Sequence, residues 1–221
     1  KGNASANRVV TGVGFSPDLV WIKNRVNGGY WGSIFDTARG PEDVLYPNST
    51  AAGSTVATSL TSFDADGFTM GAQVGTNTAD SPMIAWCWDM GGSDATNTSG
   101  STTSTVRANP TYGQSMVSYT GSSGPDTIGH GLTAAPEMII VKNRSSAQEW
   151  VVYHANNTVA PETDYLRLDT NAATADYGFW NDTAPTSSVF TVGDLQPVNS
   201  GHGNNYIAYC FHSVTGYSKI G

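Results

Sequence analysis

The sequence predicts an all-β protein built from two tandem modules, and three observations predict it. No segment sustains an apolar period of 3.6 residues, whereas short β-branched and aromatic runs separated by turn residues recur throughout. Charged residues make up 13% of the chain, so the polar surface is Ser, Thr, Asn and Gly, a profile of turn-rich β proteins. The chain also repeats itself. Pro17-Asp18-Leu19-Val20-Trp21-Ile22-Lys23-Asn24-Arg25 returns as Pro136-Glu137-Met138-Ile139-Ile140-Val141-Lys142-Asn143-Arg144.

The spacing is 119 residues (136 minus 17), and Trp31 meets Trp150 at the same offset. Leu45, Phe68-Thr69-Met70-Gly71 and Ile84-Ala85-Trp86-Cys87-Trp88 find partners at Leu166, Phe190-Thr191-Val192-Gly193 and Ile207-Ala208-Tyr209-Cys210-Phe211. The offset grows to 123 (207 minus 84), as expected when loops absorb length changes and strands do not. This reads as an internal duplication, with modules at 1–92 and 109–221.

In chain order, strands are expected near 8–13, 18–25, 31–36, 59–63, 67–71 and 82–89 in the first module. The second module is expected to place them near 105–107, 114–120, 137–144, 149–154, 164–168, 187–192 and 205–212. Leu19 to Ile22 and Met138 to Val141 are continuous apolar runs, so that strand is expected at the centre of its sheet. Phe63-Asp64-Ala65-Asp66-Gly67-Phe68 reads as a hairpin, with Asp-Gly supplying positive φ. Ser49–Ala57 and Ala155–Val159 can form single helical turns at most. Residues 93–108 open on a Ser/Thr/Gly-rich stretch almost without apolar side chains and read as a linker.

Composition excludes several classes of function. At 221 residues and 38% hydrophobic content the chain can bury two cores. The net charge of −8 and the lack of a basic cluster argue against nucleic acid, whose phosphates need a positive patch. No stretch approaches 18 apolar residues, so no membrane insertion is expected. The start at Lys1 and the strand-like end, Gly216-Tyr217-Ser218-Lys219-Ile220-Gly221, suggest a piece of a longer modular parent. Cys87 and Cys210 occupy matching apolar runs and read as buried free thiols. The alternative is a disulfide between the modules.

The Lys-Asn-Arg triplets hold four of the ten basic residues. They read either as a polar ligand stripe or, preferred here because both copies keep them, as a strand end. There the basic residues would pair with carboxylates such as Asp36, Asp43 or Asp164, and the Asn would cap a turn. The matched Trp31 and Trp150 read as core anchors. Tyr30, Tyr112, Tyr177 and Trp180 have no counterpart in the other copy. Tyr177-Gly178-Phe179-Trp180-Asn181-Asp182 combines aromatic faces with hydrogen-bonding side chains, as sugar rings require. Tyr30, Tyr177, Trp180, Asn181 and Asp182 are therefore the candidate ligand-binding residues, set against a loop that folds its aromatics back over its own module.

No metal site is expected. Asp64-Ala65-Asp66-Gly67 lacks the rest of a calcium loop, and His130, His154, His202 and His212 match no zinc-ligand spacing. No cofactor fingerprint, nucleophile elbow or phosphate loop is present, and no enzyme is expected. The four glutamates do not form the paired carboxylates of a glycosidase.

Gly14-Phe15-Ser16-Pro17-Asp18-Leu19-Val20-Trp21-Ile22-Lys23-Asn24-Arg25, the run from Trp31 to Gly40, Asp66-Gly67-Phe68, the two Cys-containing strands and the closing Gly-Tyr-Ser-Lys-Ile-Gly carry a resemblance. They resemble repeat modules of tail-fibre-like virion structural proteins of marine bacteriophages, and the resemblance covers nearly the whole chain. It implies a particle-borne, extracellular module with a jelly-roll or lectin-like β-sandwich fold. Its expected partners are other virion proteins or copies of itself, in trimers as such fibres commonly form. Host-surface glycan recognition is the added role, a carbohydrate-binding module the alternative, and a polysaccharide-degrading enzyme the least favoured reading.

Overall fold

The computed structural model describes residues 1–26, 28–201 and 203–221. They divide into two units, Lys1–Met90 and Gly91–Gly221. The first contains β1 (Arg8–Thr11), β2 (Leu19–Asn24), β3 (Ser33–Asp36), β4 (Gly40–Leu45), β5 (Ser54–Thr55), β6 (Leu60–Asp64), β7 (Gly67–Met70), the one-turn helix α1 (Val74–Asn77) and β8 (Met83–Trp88). The second contains β9 (Ala95–Asn97), β10 (Ser104–Asn109), β11 (Gln114–Thr120), β12 (Asp126–Gly129), β13 (Met138–Asn143), β14 (Val151–His154), β15 (Asp164–Arg167), β16 (Ala175–Asp176), a 3-10 turn at Gly178–Trp180, β17 (Val189–Val192) and β18 (Asn205–Phe211). Among the described residues no helix is long and apolar enough to cross a membrane.

Each unit is a sandwich. In the first, the sheet β5-β4-β3-β2-β8 faces the sheet β1-β7-β6. Val20, Ile22, Phe35 and Val44 of the larger sheet pack on Leu60, Phe68 and Met70 of the smaller. In the second, β16-β15-β14-β13-β18-β11-β10-β9 faces the pair β12-β17. There Val117, Ile139, Val141, Ala208 and Cys210 close over Ile128, Phe190 and Val192.

The sequence repeat corresponds to a shared ladder. In β2–β8, Leu19 pairs with Trp88, Val20 with Cys87 and Trp21 with Trp86. In β13–β18, Met138 pairs with Phe211, Ile139 with Cys210 and Ile140 with Tyr209, the same register at every matched position. A slip of one residue would turn each apolar side chain to the wrong face, so the register has to be held.

Matched polar groups flank both ladders. At one end Asp18 Oδ2 accepts from the Met90 amide at 2.9 Å, and Glu137 Oε2 accepts from the Ser213 amide at 2.5 Å. At the other end Asn24 Oδ1 accepts from Val26 N at 3.1 Å, and Asn143 Oδ1 from Ser145 N at 2.9 Å. The Lys23 and Lys142 ammonium groups donate to the loop carbonyls of Tyr30 and Gln148. The Asn is thus a turn cap, as expected. The expected carboxylate partners are engaged elsewhere: Asp36 binds Arg39, Asp43 accepts from Thr55 and Asp164 from Thr158.

Three further expectations are corrected. Residues 93–108 are not a linker, because β9 and β10 pair there and join β11 as an outer edge of the second sheet. Their small hydroxyl side chains suit that position, as Ser104 Oγ donates to the Gly129 carbonyl at 2.8 Å. Ser49–Ala57 carries β5, and the residues that form a helical turn are Val74–Asn77. Trp31 and Trp150 share a sequence offset but not an environment: Trp31 is 48% exposed and Trp150 fully buried. The β2–β3 ladder pairs Ile22 with Ser33 and the β13–β14 ladder pairs Val141 with Val151, an offset of 118 (151 minus 33), one short of the Trp pair. That single residue exchanges the faces. Strands β4, β5, β9, β12 and β16 extend the expected set.

The hairpin at 63–68 forms as expected. Asp64 pairs with Gly67, the one residue of the Asp-Gly pair with positive φ. The Asp66 carboxylate accepts the amides of Gly14 at 2.7 Å and Gly12 at 3.0 Å, which hold its pKa below the usual carboxylate range. The Gly71 and Gly193 amides bond the carbonyls of Ser59 and Phe179 at 2.5 and 2.8 Å. A Cβ on either glycine would lie 2.3 Å from the Thr58 oxygen or 2.1 Å from the Gly178 oxygen, so both crossings require glycine.

The turn from Asp36 to Gly40 contains an ion pair removed from water. Arg39 Nε meets Asp36 Oδ2 at 2.7 Å with both side chains almost completely buried. Its other nitrogens donate to the carbonyls of Asp43 at 2.8 Å and Ile34 at 3.0 Å. Asp36→Ala leaves this guanidinium buried without its counter-charge and is expected to cost about 3–5 kcal/mol, measured by urea unfolding of the chain. A loss below about 1 kcal/mol would mean that the pair is solvated.

Candidate functional site

The second unit carries a cleft of about 260 Å³ lined by Glu149, Tyr165, Arg167, Tyr177, Phe179, Leu195 and Pro197. Alternation along β15 puts Tyr165 and Arg167 on one face. The pairing of Val151 with Arg167 brings Glu149, just before β14, alongside them. Tyr177 is extended, with φ −164°, immediately before the 3-10 turn. Its ring leans on Phe179 at 5.1 Å between centroids, and Phe179 meets Tyr165 edge-on at 4.7 Å.

Arg167 organises the polar side. Its Nη2 lies 3.2 Å from Glu149 Oε1 and 2.9 Å from the Tyr165 hydroxyl, and its guanidinium sits 5.4 Å from the Tyr165 ring centre. The buried Nε has no hydrogen-bond partner among the described residues. The Arg167 side chain is one-third exposed, so solvent weakens the pair. The cleft therefore offers an aromatic platform, guanidinium donors and one carboxylate, with its opposite charges paired.

The five residues singled out by sequence fall in different places. Tyr177 is 53% exposed and lines the cleft. Trp180 is 1% exposed: it meets Tyr153 edge-on at 5.7 Å, and its Nε1 donates to the Asp164 carbonyl at 3.0 Å. It is a core residue, not a loop aromatic, and it does have a counterpart. The matched crossings at Gly71 and Gly193 place it where the first unit has the fully buried Leu60. Asn181 and Asp182 are exposed in left-handed conformation, φ 50° and 47°, and are not part of the cleft lining. Tyr30 belongs to the first unit, where its carbonyl receives Lys23. Tyr112 stacks on Tyr217 with centroids 4.6 Å apart.

Glu149, Tyr165 and Arg167 were not singled out by sequence. Arg167 is the sole Lys or Arg between Arg144 and Lys219, a signal that isolates it but names no partner.

Several other reactive side chains are engaged in structure. His130 is fully buried, with Nδ1 accepting from Leu132 N and Nε2 facing the Thr186 carbonyl, each at 3.1 Å. Burial holds its pKa below the ordinary histidine value. Cys87 and Cys210 are free thiols. Burial pushes Cys87 up to about 11 and Cys210 higher still, so neither is a ready nucleophile at neutral pH. Lys142 lies under Trp150, and burial lowers its pKa to about 8 against the pull of Asp169 and Glu149. No cluster of three metal-ligating side chains occurs among the described residues. His202 lies outside them.

Trp180→Ala is expected to cost about 3–5 kcal/mol of stability. Tyr177→Ala should stay within about 0.5 kcal/mol of the parent, because its ring is half in water. Chemical denaturation followed by Trp fluorescence distinguishes the two, and equal losses would contradict the separation of core from cleft.

No curated protein and no solved structure matches the chain. One family model does, over residues 1–221, and its description is a domain of unknown function, DUF7483. The match spans both sandwich units, and the chain belongs to that family.

Proposed function

We propose that the chain is a structural module of a virion surface appendage, extracellular and non-enzymatic, with other virion proteins or further copies of itself as partners. The supporting observation is how the resemblance-bearing residues are used. Asp18, Lys23, Asn24 and Arg39, with Glu137, Lys142 and Asn143, fix strand ends, turns and register. A signature consumed by scaffolding belongs to a protein whose shape is its product. Mass spectrometry of gradient-purified particles, with gold-labelled antibody against the chain, should find it on the particle exterior. Its restriction to the infected-cell lysate, away from particles, would contradict the proposal.

A second reading, carbohydrate recognition, is favoured by the exposed Tyr177 beside Arg167 and Glu149. A sugar ring can stack on the tyrosine while its hydroxyls meet the guanidinium and the carboxylate. Nothing in the lining suggests hydrolysis, for which two carboxylates would have to flank a glycosidic bond and Glu149 is the one present. If a glycan array identifies a ligand, Tyr177→Ala should weaken it about tenfold, equivalent to about 1.4 kcal/mol. Unchanged binding would move recognition away from this cleft.

A further inference from the structure

The walls of the cleft can be traced into the first unit bond by bond. The Trp150 amide donates to Asp169 Oδ1 at 3.0 Å, and the Gly32 amide donates to Asn48 Oδ1 at the same distance. Tyr177 N donates to the Thr163 carbonyl at 3.1 Å, and Val56 N to the Glu42 carbonyl at 2.8 Å. The amides of Val198 and Asn199 both reach the Leu195 carbonyl, as those of Thr76 and Asn77 reach the Gln73 carbonyl. The ladders agree: Leu166 faces Val152 as Leu45 faces Ile34, and Asp176 faces Asp164 as Thr55 faces Asp43. Glu149 therefore corresponds to Trp31, Arg167 to Tyr46, Tyr177 to Val56, Leu195 to Gln73 and Pro197 to Gly75.

The side chains at these positions are exchanged in a pattern. Where the second unit bridges its hairpin with the Arg167–Glu149 ion pair, the first bridges it with two rings, Trp31 and Tyr46, edge-on with centroids 5.1 Å apart. Tyr46 packs on the core of its unit and so steadies a tryptophan that is 48% exposed. At the Tyr177 position the exchange runs the other way, because Val56 is packed against the core and presents no ring. Each unit thus keeps one half-exposed aromatic side chain at this place and supplies it from a different element. Tyr30 stands beside it: a Cβ on Gly75, the position of Pro197, would lie 3.9 Å from the Tyr30 ring. The charges change with the rings, since none of Trp31, Tyr46, Val56, Gln73 and Gly75 is ionisable near neutral pH.

We propose that the first unit carries a second carbohydrate site, with Trp31 as its platform and an uncharged sugar ring as its ligand. The apolar face of the sugar stacks on the indole, whose exposed half is what such stacking requires. Gln73 puts an amide where the cleft has the hydrocarbon side chain of Leu195. With no guanidinium at the Arg167 position, the site offers an acidic sugar no counter-charge, which separates its ligand class from that of the cleft. The inference rests on the carbohydrate reading and extends it to the first unit.

Fluorine NMR of the chain labelled with fluorotryptophan reports on each of the six indoles, and the signal lost in Trp31→Phe is that of Trp31. The chain is titrated with hexasaccharides of glucose, galactose, mannose and N-acetylglucosamine, and with hexagalacturonate as the charged counterpart. At least one neutral hexasaccharide should shift the Trp31 signal to saturation, and hexagalacturonate should not. Tyr177→Ala should leave that shift in place. Calorimetry in the Tyr177→Ala background, where the cleft does not contribute, should then show Trp31→Ala weakening the same sugar about tenfold and Trp31→Phe, which keeps a flat ring, much less. An unchanged urea midpoint for Trp31→Phe shows that the fold is kept. A Trp31 signal that no neutral sugar moves, or that hexagalacturonate alone moves, would overturn the proposal. If a sugar still binds in that case and Tyr177→Ala abolishes the binding, carbohydrate recognition stands at the cleft without a second site. If no sugar binds the chain at all, both fall.

Discussion

The constraint on which the rest depends is strand register at the centre of each sandwich. β2 and β13 are apolar on successive residues, so alternation alone does not tell the strand which face is inward. The information is supplied by polar groups at the strand ends. An acid latches the amide that follows the partner strand, an asparagine closes the turn beyond, and a lysine anchors the next loop by its carbonyl. Each bond contributes about 1 kcal/mol, or more where a charge is involved. Together they work against the shifted ladder, which would bury the charged ends and expose the core.

With the register held, the units diverge where it does not constrain them. The first closes its β3–β4 hairpin with the buried Arg39–Asp36 pair, while the matching ladder position in the second is His154, at the start of a longer connection. Leu60 on a strand in the first unit is replaced by Trp180 on a 3-10 turn in the second. That turn carries Phe179 to the side of Tyr165 and leaves Tyr177 over the cleft.

The all-β class, strands β2 and β13 and the Asp-Gly hairpin were legible because each rests on local pattern. Short strands such as β5 and β16, two residues each, carry no period to detect. β4 opens on Gly-Pro, which reads as a turn. β9 was read as linker, and β10 was expected only at 105–107, because edge strands tolerate the small polar side chains that linkers also favour. Trp31 and Trp150 match perfectly as letters, yet a one-residue difference in ladder offset puts one in water and the other in the core. The cleft was half legible: Tyr177 stands out by composition. Arg167 and Glu149, which line the cleft with it, are brought together by a hairpin register that no local signal encodes.

The role of the repeated Lys-Asn pair as a lock on register, rather than as a binding site, is the central claim. Backbone amide hydrogen exchange of Asn143→Ala, compared with the unsubstituted chain, tests it most directly. Losing the turn cap, together with the Nδ2 bonds to the Gln196 carbonyl and the Tyr206 hydroxyl, should speed exchange at least tenfold along all of β13 and β18, because the ladder is held from its ends. Faster exchange confined to the turn at 144–146, with β13 and β18 unchanged, would show that the asparagine serves only its own loop and would contradict the account.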